Sequence, residues 1–496
     1  MTFKRPASLL VVRIVIASLC FLPAEHGLVS AQKVSRRAGP ENWRRAAPRP
    51  GPSRPFTVPS IREAPLPDGL RLIMIEDHRT PMVTFAMGIR VGRIDDPPGE
   101  SALAEALADL IVEGAGSRTG EELAREVETL GGQIGASAGE DRTEVSASVI
   151  SQNAEPMLQI IADVVMRPTF PESEVALYKN TRIQKLQVQR QDPSYLVSEH
   201  FNRVIYGSHP YAISSPTTES VAALSRSKIA SFHRSHFTPD RSALVVAGDF
   251  EGDKMREKVK AAFADWRTSA PRGEKLPQMP DRKQRRVYLM DRPGSEQADF
   301  RVGNLALART DPDYYALLVA STILGGGTSS RLFLNLRERK GYTYDVSTSI
   351  YAPRERGTFF GACETRTEVT LPAIKDMLAE FNRLRNVNVT ASDLRNAKSY
   401  LNGVFSLTLS TQGGLADRIL NARLLDLPSD YLQSYRTRIE AVTADQIRRV
   451  ARKYMLTDRA AIVVVGDAAK LAKPLRSLGP VEVVDTEGKV SAGAQR

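Results

Sequence analysis

Ile323-Leu-Gly-Gly-Gly-Thr-Ser-Ser-Arg-Leu-Phe-Leu-Asn-Leu-Arg-Glu-Arg-Lys-Gly-Tyr-Thr-Tyr344 is the stretch from which the rest of this 496-residue chain is read. It has the pattern of an apolar helix end, a triple-glycine turn, a second helix and then a strand. Gly325, Gly326 and Gly327 permit positive φ and close backbone approach at the helix exit. Thr328 and Ser329 are placed to cap the next helix, whose buried stripe is Leu332, Phe333 and Leu336. Arg337 and Tyr344 flank the turn at Gly341, one at a helix end and one entering a strand. Held close, a guanidinium and a phenol can grip a peptide carbonyl. Taken alone, the same two residues read more simply as a surface Arg and a half-buried strand Tyr.

Outward from that stretch, an internal repeat divides the chain. Val221-Ala-Ala-Leu-Ser through Gly248-Asp249 matches Ile439-Glu-Ala-Val-Thr through Gly466-Asp467. Asp458 lies 218 residues after Asp240, and Gly466 the same 218 after Gly248. Each copy reads as a helix with apolar Leu224 or Val442 and Ile229 or Ile447, then a buried Val/Ile strand ending in Gly-Asp. Two tandem domains of one fold follow, spanning 57–267 and 286–490, with the Pro- and charge-rich 268–285 as a hinge between them. In the first, strands are expected at Leu70–Ile75, Met82–Val91 and Val145–Val149, with helices over 101–113, 119–130, 155–166 and 172–191. In the second, strands Arg286–Met290 and Asp299–Ala308 precede a helix over 312–324 and a hairpin of Thr343–Tyr351 with Gly357–Glu364. Strands mixed with helical blocks, without regular βαβ alternation, predict an α+β fold. Each domain is then a mainly antiparallel sheet with helices packed on one face.

The first 31 residues read as a secretory signal. Lys4 and Arg5 precede an apolar run from Leu9 to Leu22, and Val29-Ser30-Ala31 offers small residues for cleavage. The run is short for a membrane span; if the signal stays uncleaved, the chain is membrane-anchored instead. Cleavage removes Cys20 and leaves Cys363 as the only mature cysteine, so no intrachain disulfide forms. An exported chain folded without disulfides points to a bacterial periplasm. Residues 32–56 are rich in Pro and Arg and lack an apolar period, as in an extended tether. The tether supplies much of the formal charge of +11, and its Pro-rich setting on an exported chain argues against nucleic acid as a partner.

The opening stretch resembles the second domain of the pitrilysin/insulysin/mitochondrial-processing-peptidase family, the inverzincin metallopeptidases. There Gly-Gly-Gly-x-Ser-Ser-Arg-Leu precedes Arg-Glu-x-x-Gly-x-x-Tyr. The resemblance runs from the strand near Leu70 to that at Val465 and implies the same tandem architecture, a clamshell. It also implies that Arg337 and Tyr344 are a substrate-binding pair, held in register by the turn at Gly325, Gly326 and Gly327. In active members His-x-x-Glu-His on the first domain's opening helix and a Glu on a later helix hold zinc, and the motif's Glu activates the bound water. Placed by Leu110-Ile-Val-Glu-Gly114, the motif positions fall on Glu105, Ala108 and Asp109. Placed by Asp192-Pro193 and the segment from Tyr206 to Tyr211, the later Glu falls on Lys185, or on Gln184 with a one-residue slip.

These positions form a degenerate zinc site. Ala108 is no general base and Lys185 repels a cation. Glu105 and Asp109 are hard oxygen donors, conceivable for Ca²⁺ or Mg²⁺ but more simply read as solvated carboxylates. No His-x-x-x-His pair occurs in the sequence. His233 and His236 have Ala451 and Tyr454 as repeat partners, which marks them as structural, and His209 sits in a His-Pro-Tyr turn. Cys363 reads as an apolar strand filler, and no Walker loop is found. No catalytic and no metal-binding residue is assigned. The resemblance therefore implies a chain with no cofactor of its own, the non-catalytic subunit of a heterodimeric periplasmic zinc metalloendopeptidase. Zinc is expected in a paralogous partner subunit, and the substrate is a peptide or unfolded polypeptide. A non-hydrolytic peptide-binding or scaffold protein of the same fold is the alternative.

Overall fold

Ser242–Gly248 and Ala461–Gly466 are buried at every position. Strands of this kind have no polar face, so their sheets must be covered on both sides. The computed structural model of the protein describes residues 59–267 and 276–490. The expected signal, the tether and residues 268–275 of the expected hinge lie outside the described residues.

The strands of the first half are β1 (Arg62–Pro65), β2 (Arg71–Glu76), β3 (Met82–Ile89), the short ribbon β4 (Gly114–Ala115) and β5 (Arg118–Thr119), β6 (Gln133–Ala138), β7 (Thr143–Ile150) and β8 (Ser242–Gly248). Those of the second are β9 (Arg286–Asp291), β10 (Gln297–Leu305), β11 (Val346–Tyr351), β12 (Thr358–Arg366), β13 (Ala461–Gly466) and β14 (Val481–Val484). The first sheet runs β1-β2-β8-β3-β7-β6 and the second, read from its far end, β14-β9-β13-β10-β12-β11. Strand for strand these are the same sheet. Only the outer strand differs, with β1 antiparallel to β2 but β14 parallel to β9. The β2–β8, β9–β13 and β9–β14 pairs are parallel and the remaining pairs antiparallel, giving the mainly antiparallel α+β halves. The helices Arg226–His236 and Ala444–Tyr454 begin and end 218 residues apart, as the repeat requires.

Each half's own helices pack on one face of its sheet, and the opposite face is covered by a single helix from the other half. Leu72, Met74, Leu244 and Val246 point into the core under the first half's helices, while Ile73, Ile75, Val245 and Ala247 join a core containing Ile419 and Leu420. Those two residues belong to the helix Gln412–Leu424, which lies on β3 and β8. Reciprocally, the helix Pro193–Tyr206 lies on β10 and β13, where Phe201 and Ile205 meet Val463 and Val465. The chain exchanges one helix per half. Two glycines mark the crossings: a Cβ on Gly88 of β3 would lie 2.6 Å from Leu424 Cδ1, and one on Gly303 of β10 would lie 2.8 Å from Phe201 Cζ.

Element bounds follow the sequence expectation closely, with one difference near the candidate site. The hairpin opens at Val346 rather than at residue 343. Thr343 Oγ1 donates to Asp345 O (2.6 Å) and accepts from Asp345 N–H (3.1 Å), a local turn that keeps these residues out of the ladder.

The two crossing glycines are expected to differ in tolerance. At Gly303 the added methyl would also meet the Phe359 carbonyl oxygen at 2.4 Å, whereas at Gly88 it meets flexible leucine ends. Gly303→Ala should cost about 1–3 kcal/mol in urea unfolding and Gly88→Ala clearly less, because only a side chain can move aside cheaply.

Candidate functional site

The helix Tyr314–Gly325 is fixed to β11 by two hydroxyls: Ser321 Oγ donates to Thr348 Oγ1 (3.1 Å), and Thr348 Oγ1 donates to Ser321 O (2.7 Å). Gly325 lies where helix and strand are closest, since a Cβ there would stand 2.3 Å from Thr348 N. Of the three glycines only Gly327 adopts a positive φ, +153°, so Gly325 and Gly326 serve close approach rather than turning. Thr328 and Ser329 do not cap the next helix, which opens without a side-chain cap. The Ser330 N–H instead closes the turn onto Gly327 O (3.0 Å), and Arg331 ties the helix start to Asp393 (2.7 Å).

Phe333–Arg339 then winds as a π-helix with Leu336 buried inward. The wider turn alters the angular spacing of its side chains relative to an α-helix. Gly341, at φ +60°, reverses the chain and donates its N–H to Arg337 O (3.0 Å). The reversal lays the Arg337 guanidinium over the Tyr344 ring, Cζ 4.1 Å from the centroid, while Nη1 donates to the Tyr344 carbonyl. Tyr344 stands in the connection ahead of β11 rather than entering the strand, and it is 82% exposed. The arrangement is a cation–π stack with the phenol edge in solvent. It presents a hydroxyl and a guanidinium side by side, donors suited to a peptide carbonyl oxygen.

In the first half, the helix Leu103–Leu110 carries Glu105, Ala108 and Asp109. Facing it is the helix Glu172–Gln189, which bears Gln184 and Lys185. The residue that meets Glu105 is Arg182. Its Nε lies 2.5 Å from Glu105 Oε1, and its Nη2 donates to Oε2 at 3.3 Å. Arg182 Nη1 donates to Gln189 Oε1 (3.0 Å) and Nη2 to Ser215 Oγ (3.2 Å). With its side chain only 11% exposed, the guanidinium is held from three sides. Burial, with Glu105 and Asp109 nearby, pushes the Tyr178 phenol above its ordinary range. Desolvation against the helix wall and the adjacent Glu105 carboxylate raise the Asp109 carboxyl, with Lys185 and Arg182 opposing. Ala108 is buried and Lys185 exposed.

This donor set does not fit zinc. Glu105 is already neutralised by a fixed cation, Ala108 offers no donor, and Lys185 on the facing helix would repel a cation. Among the described residues no group of three or more His, Cys, Asp and Glu is gathered as a metal site. Reading the sequence position by position missed Arg182. The available signal was its place three residues before Lys185, on the same face of one helix.

The other singled-out side chains serve the fold. His233 Nε2 lies 2.8 Å from Val165 O, His236 stacks on Phe232 at 4.3 Å, and His209 Nδ1 accepts the Tyr211 N–H at 3.2 Å. Cys363 is 6% exposed, and burial pushes its thiol up to about 12.

Comparison with known proteins bears on the same segments. Residues 71–218 match the family described as insulinase (peptidase family M16), and residues 223–401 match that described as the peptidase M16 inactive domain. An uncharacterized zinc protease of Streptomyces coelicolor is 26% identical over 417 residues, covering 82% of this chain and 90% of the relative. A probable mitochondrial-processing peptidase subunit beta of Arabidopsis thaliana is 24% identical over 430 residues, covering 83% of this chain and 79% of that one. Among solved structures, a peptidase M16 inactive domain from Pseudomonas fluorescens has a TM-score of 0.75 at 25% identity, covering 82% of this chain and 98% of its own. A protease from Helicobacter pylori shares the fold, with a TM-score of 0.78 at 19% identity over 83% of this chain and 100% of that one.

The Glu105–Arg182 pair makes a direct prediction. Arg182→Ala should destabilise the protein by about 1–3 kcal/mol, since it strands a carboxylate that is largely removed from water. In a Glu105→Gln background the same substitution should cost less. A double-mutant cycle in urea unfolding measures the coupling, and strictly additive costs would show that the two groups do not interact.

Proposed function

This chain belongs to peptidase family M16, and on that premise we propose that it is the zinc-free, peptide-engaging subunit of a periplasmic metalloendopeptidase whose zinc sits in a paralogous partner. The observation that carries the reading is the 2.5 Å contact between Arg182 and Glu105. At the position where a metal ligand is needed, the carboxylate already has a cation, and that cation is covalently part of the chain. A guanidinium cannot polarise water as a Lewis acid does, so the residues that remain suit holding a peptide.

Arg337 and Tyr344 suit that task. Their stack fixes the guanidinium plane against the phenol, and the Arg337 Nη1 bond to the Tyr344 carbonyl keeps the donors together before any substrate arrives. A peptide carbonyl entering beside Tyr344 accepts from the exposed hydroxyl and competes for the guanidinium. Positioning of this kind lowers the barrier by orientation and by hydrogen bonds that strengthen as charge builds on the carbonyl oxygen. It requires no metal in the subunit that supplies it. Division of labour between subunits also accords with the name of the Arabidopsis relative, a processing-peptidase subunit.

The test is hydrolysis of a fluorogenic peptide by the purified chain alone and after addition of a His-x-x-Glu-His paralogue from the same organism. Alone the chain should show no turnover above buffer, and with the paralogue turnover should appear. Arg337→Ala or Tyr344→Ala should then lower kcat/KM by about 10- to 100-fold, the scale for losing an oriented donor to a developing negative charge. Turnover by the chain alone, or full activity of both variants in the mixture, would contradict the reading.

A further inference from the structure

The seam between the two halves holds a second feature that the peptide-engaging pair does not use. A cavity of about 320 Å³ lies there, lined from the first half by Glu140, Asp141 and Arg142 and from the second by Arg309, Arg418 and Tyr431, among others. Arg309 is only 8% exposed. Its guanidinium is clamped between aromatic rings, with Cζ 3.5 Å from the Tyr314 centroid and 5.1 Å from that of Tyr431. Its backbone N–H is tied to Pro353 O (2.9 Å). No ion pair is formed by Arg309 or Arg418 among the described residues, and Arg309 Nη2 and Arg418 Nε are buried without a hydrogen-bond partner. Arg142 Nη1 is likewise unpartnered, although its Nη2 reaches Glu144 (2.9 Å) and Asp417 (2.8 Å).

The two carboxylates in the lining do not meet this need, because each is engaged elsewhere. Glu140 pairs with Arg93 and accepts from the Tyr351 hydroxyl (2.8 Å). Asp141 accepts from the Tyr211 hydroxyl (2.5 Å) and from the Arg354 N–H (2.8 Å). What remains is a small, partly open space with three orphaned guanidinium N–H groups, one of them on a rigidly stacked and nearly buried side chain. Leaving such donors unpaired in the interior is costly, and an arginine fork matches the planar or tetrahedral oxygens of a carboxylate or phosphate. The volume is at the small end of ligand pockets, too small for a stretch of polypeptide.

We propose that this seam cavity binds a compact oxyanion, a small carboxylate- or phosphate-bearing molecule, through Arg309, Arg418 and Arg142, and that the bound anion ties the two halves together. The proposal is independent of the peptide-engaging reading, because Arg337 and Tyr344 do not line the cavity.

Thermal unfolding and titration calorimetry of the full chain test it, with sodium succinate and inorganic phosphate as probes and sodium chloride at matched ionic strength as control. One or both probes should raise the unfolding midpoint saturably where chloride does not, and which one does so identifies the carboxylate or phosphate source. Arg418→Gln should weaken that binding about tenfold or more, the scale for losing one charge-assisted contact. Arg309→Met should do the same, and because Arg418 is only half-buried its variant keeps the test open if Arg309→Met does not fold. Arg337→Ala should leave anion binding unchanged. The proposal is overturned if neither probe gives a saturable response beyond chloride, or if the response survives Arg418→Gln at full strength.

Discussion

Each sheet of this protein has two apolar faces, and the rest of the structure follows from covering both. Strands such as Ser242–Gly248 bury alternate residues into different cores, with Leu244 and Val246 on one side and Val245 and Ala247 on the other. A half-chain with its helices on one face would leave the second face in water. Exchange of the helices Pro193–Tyr206 and Gln412–Leu424 solves this for both halves at once. Because each half completes the core of the other, the two are expected to fold as one cooperative structure rather than as independent domains. The arginine-lined cavity at 139–142 and 309–431 is a by-product of the same exchange, since Arg418 rides on one of the crossing helices.

The candidate site shows how a fixed ion pair between two helices holds the first half of the fold. Two facing helices, Leu103–Leu110 and Glu172–Gln189, are held by packing that does not depend on a ligand. Between them Glu105 needs a positive charge, and Arg182 provides one with a geometry that also satisfies Gln189 and Ser215. The pair maintains the electrostatic balance of the helix contact, and Ala108 closes the packing where a longer acidic side chain would have to be buried. The second half presents a guanidinium stacked on an exposed phenol. There the close approach at Gly325, the π-turn and the reversal at Gly341 act in series to bring Arg337 and Tyr344 into contact.

Much of this was legible in the sequence, for reasons that differ by element. The 218-residue offset between Asp240 and Asp458 exposed the tandem halves, because helix and strand lengths are held rigidly between those points. The Arg337 and Tyr344 pair was singled out through the family resemblance, and the structure brings the two into contact. The exchanged helices were not legible, since a strand without a polar face says that it is covered on both sides but not by what. Gly88 and Gly303, at matching places on central strands, were the available hint. Arg182 also escaped, because motif positions are compared one at a time whereas a salt bridge can be supplied from the next turn of the same helix. Thr328 and Ser329 have the composition of caps, yet the tight backbone approach at Gly325 and Gly326 left the turn to be closed by the Ser330 amide.

Zinc content of the purified chain, determined after dialysis against zinc and then against metal-free buffer, tests the central claim most directly. If Arg182 occupies the place of the metal, the dialysed chain should retain no zinc above the buffer background, and its thermal unfolding should be unmoved by added zinc. One zinc per chain that survives dialysis and is lost on Glu105→Gln would mean that the guanidinium yields its place to a metal, and the assignment of a zinc-free subunit would be wrong.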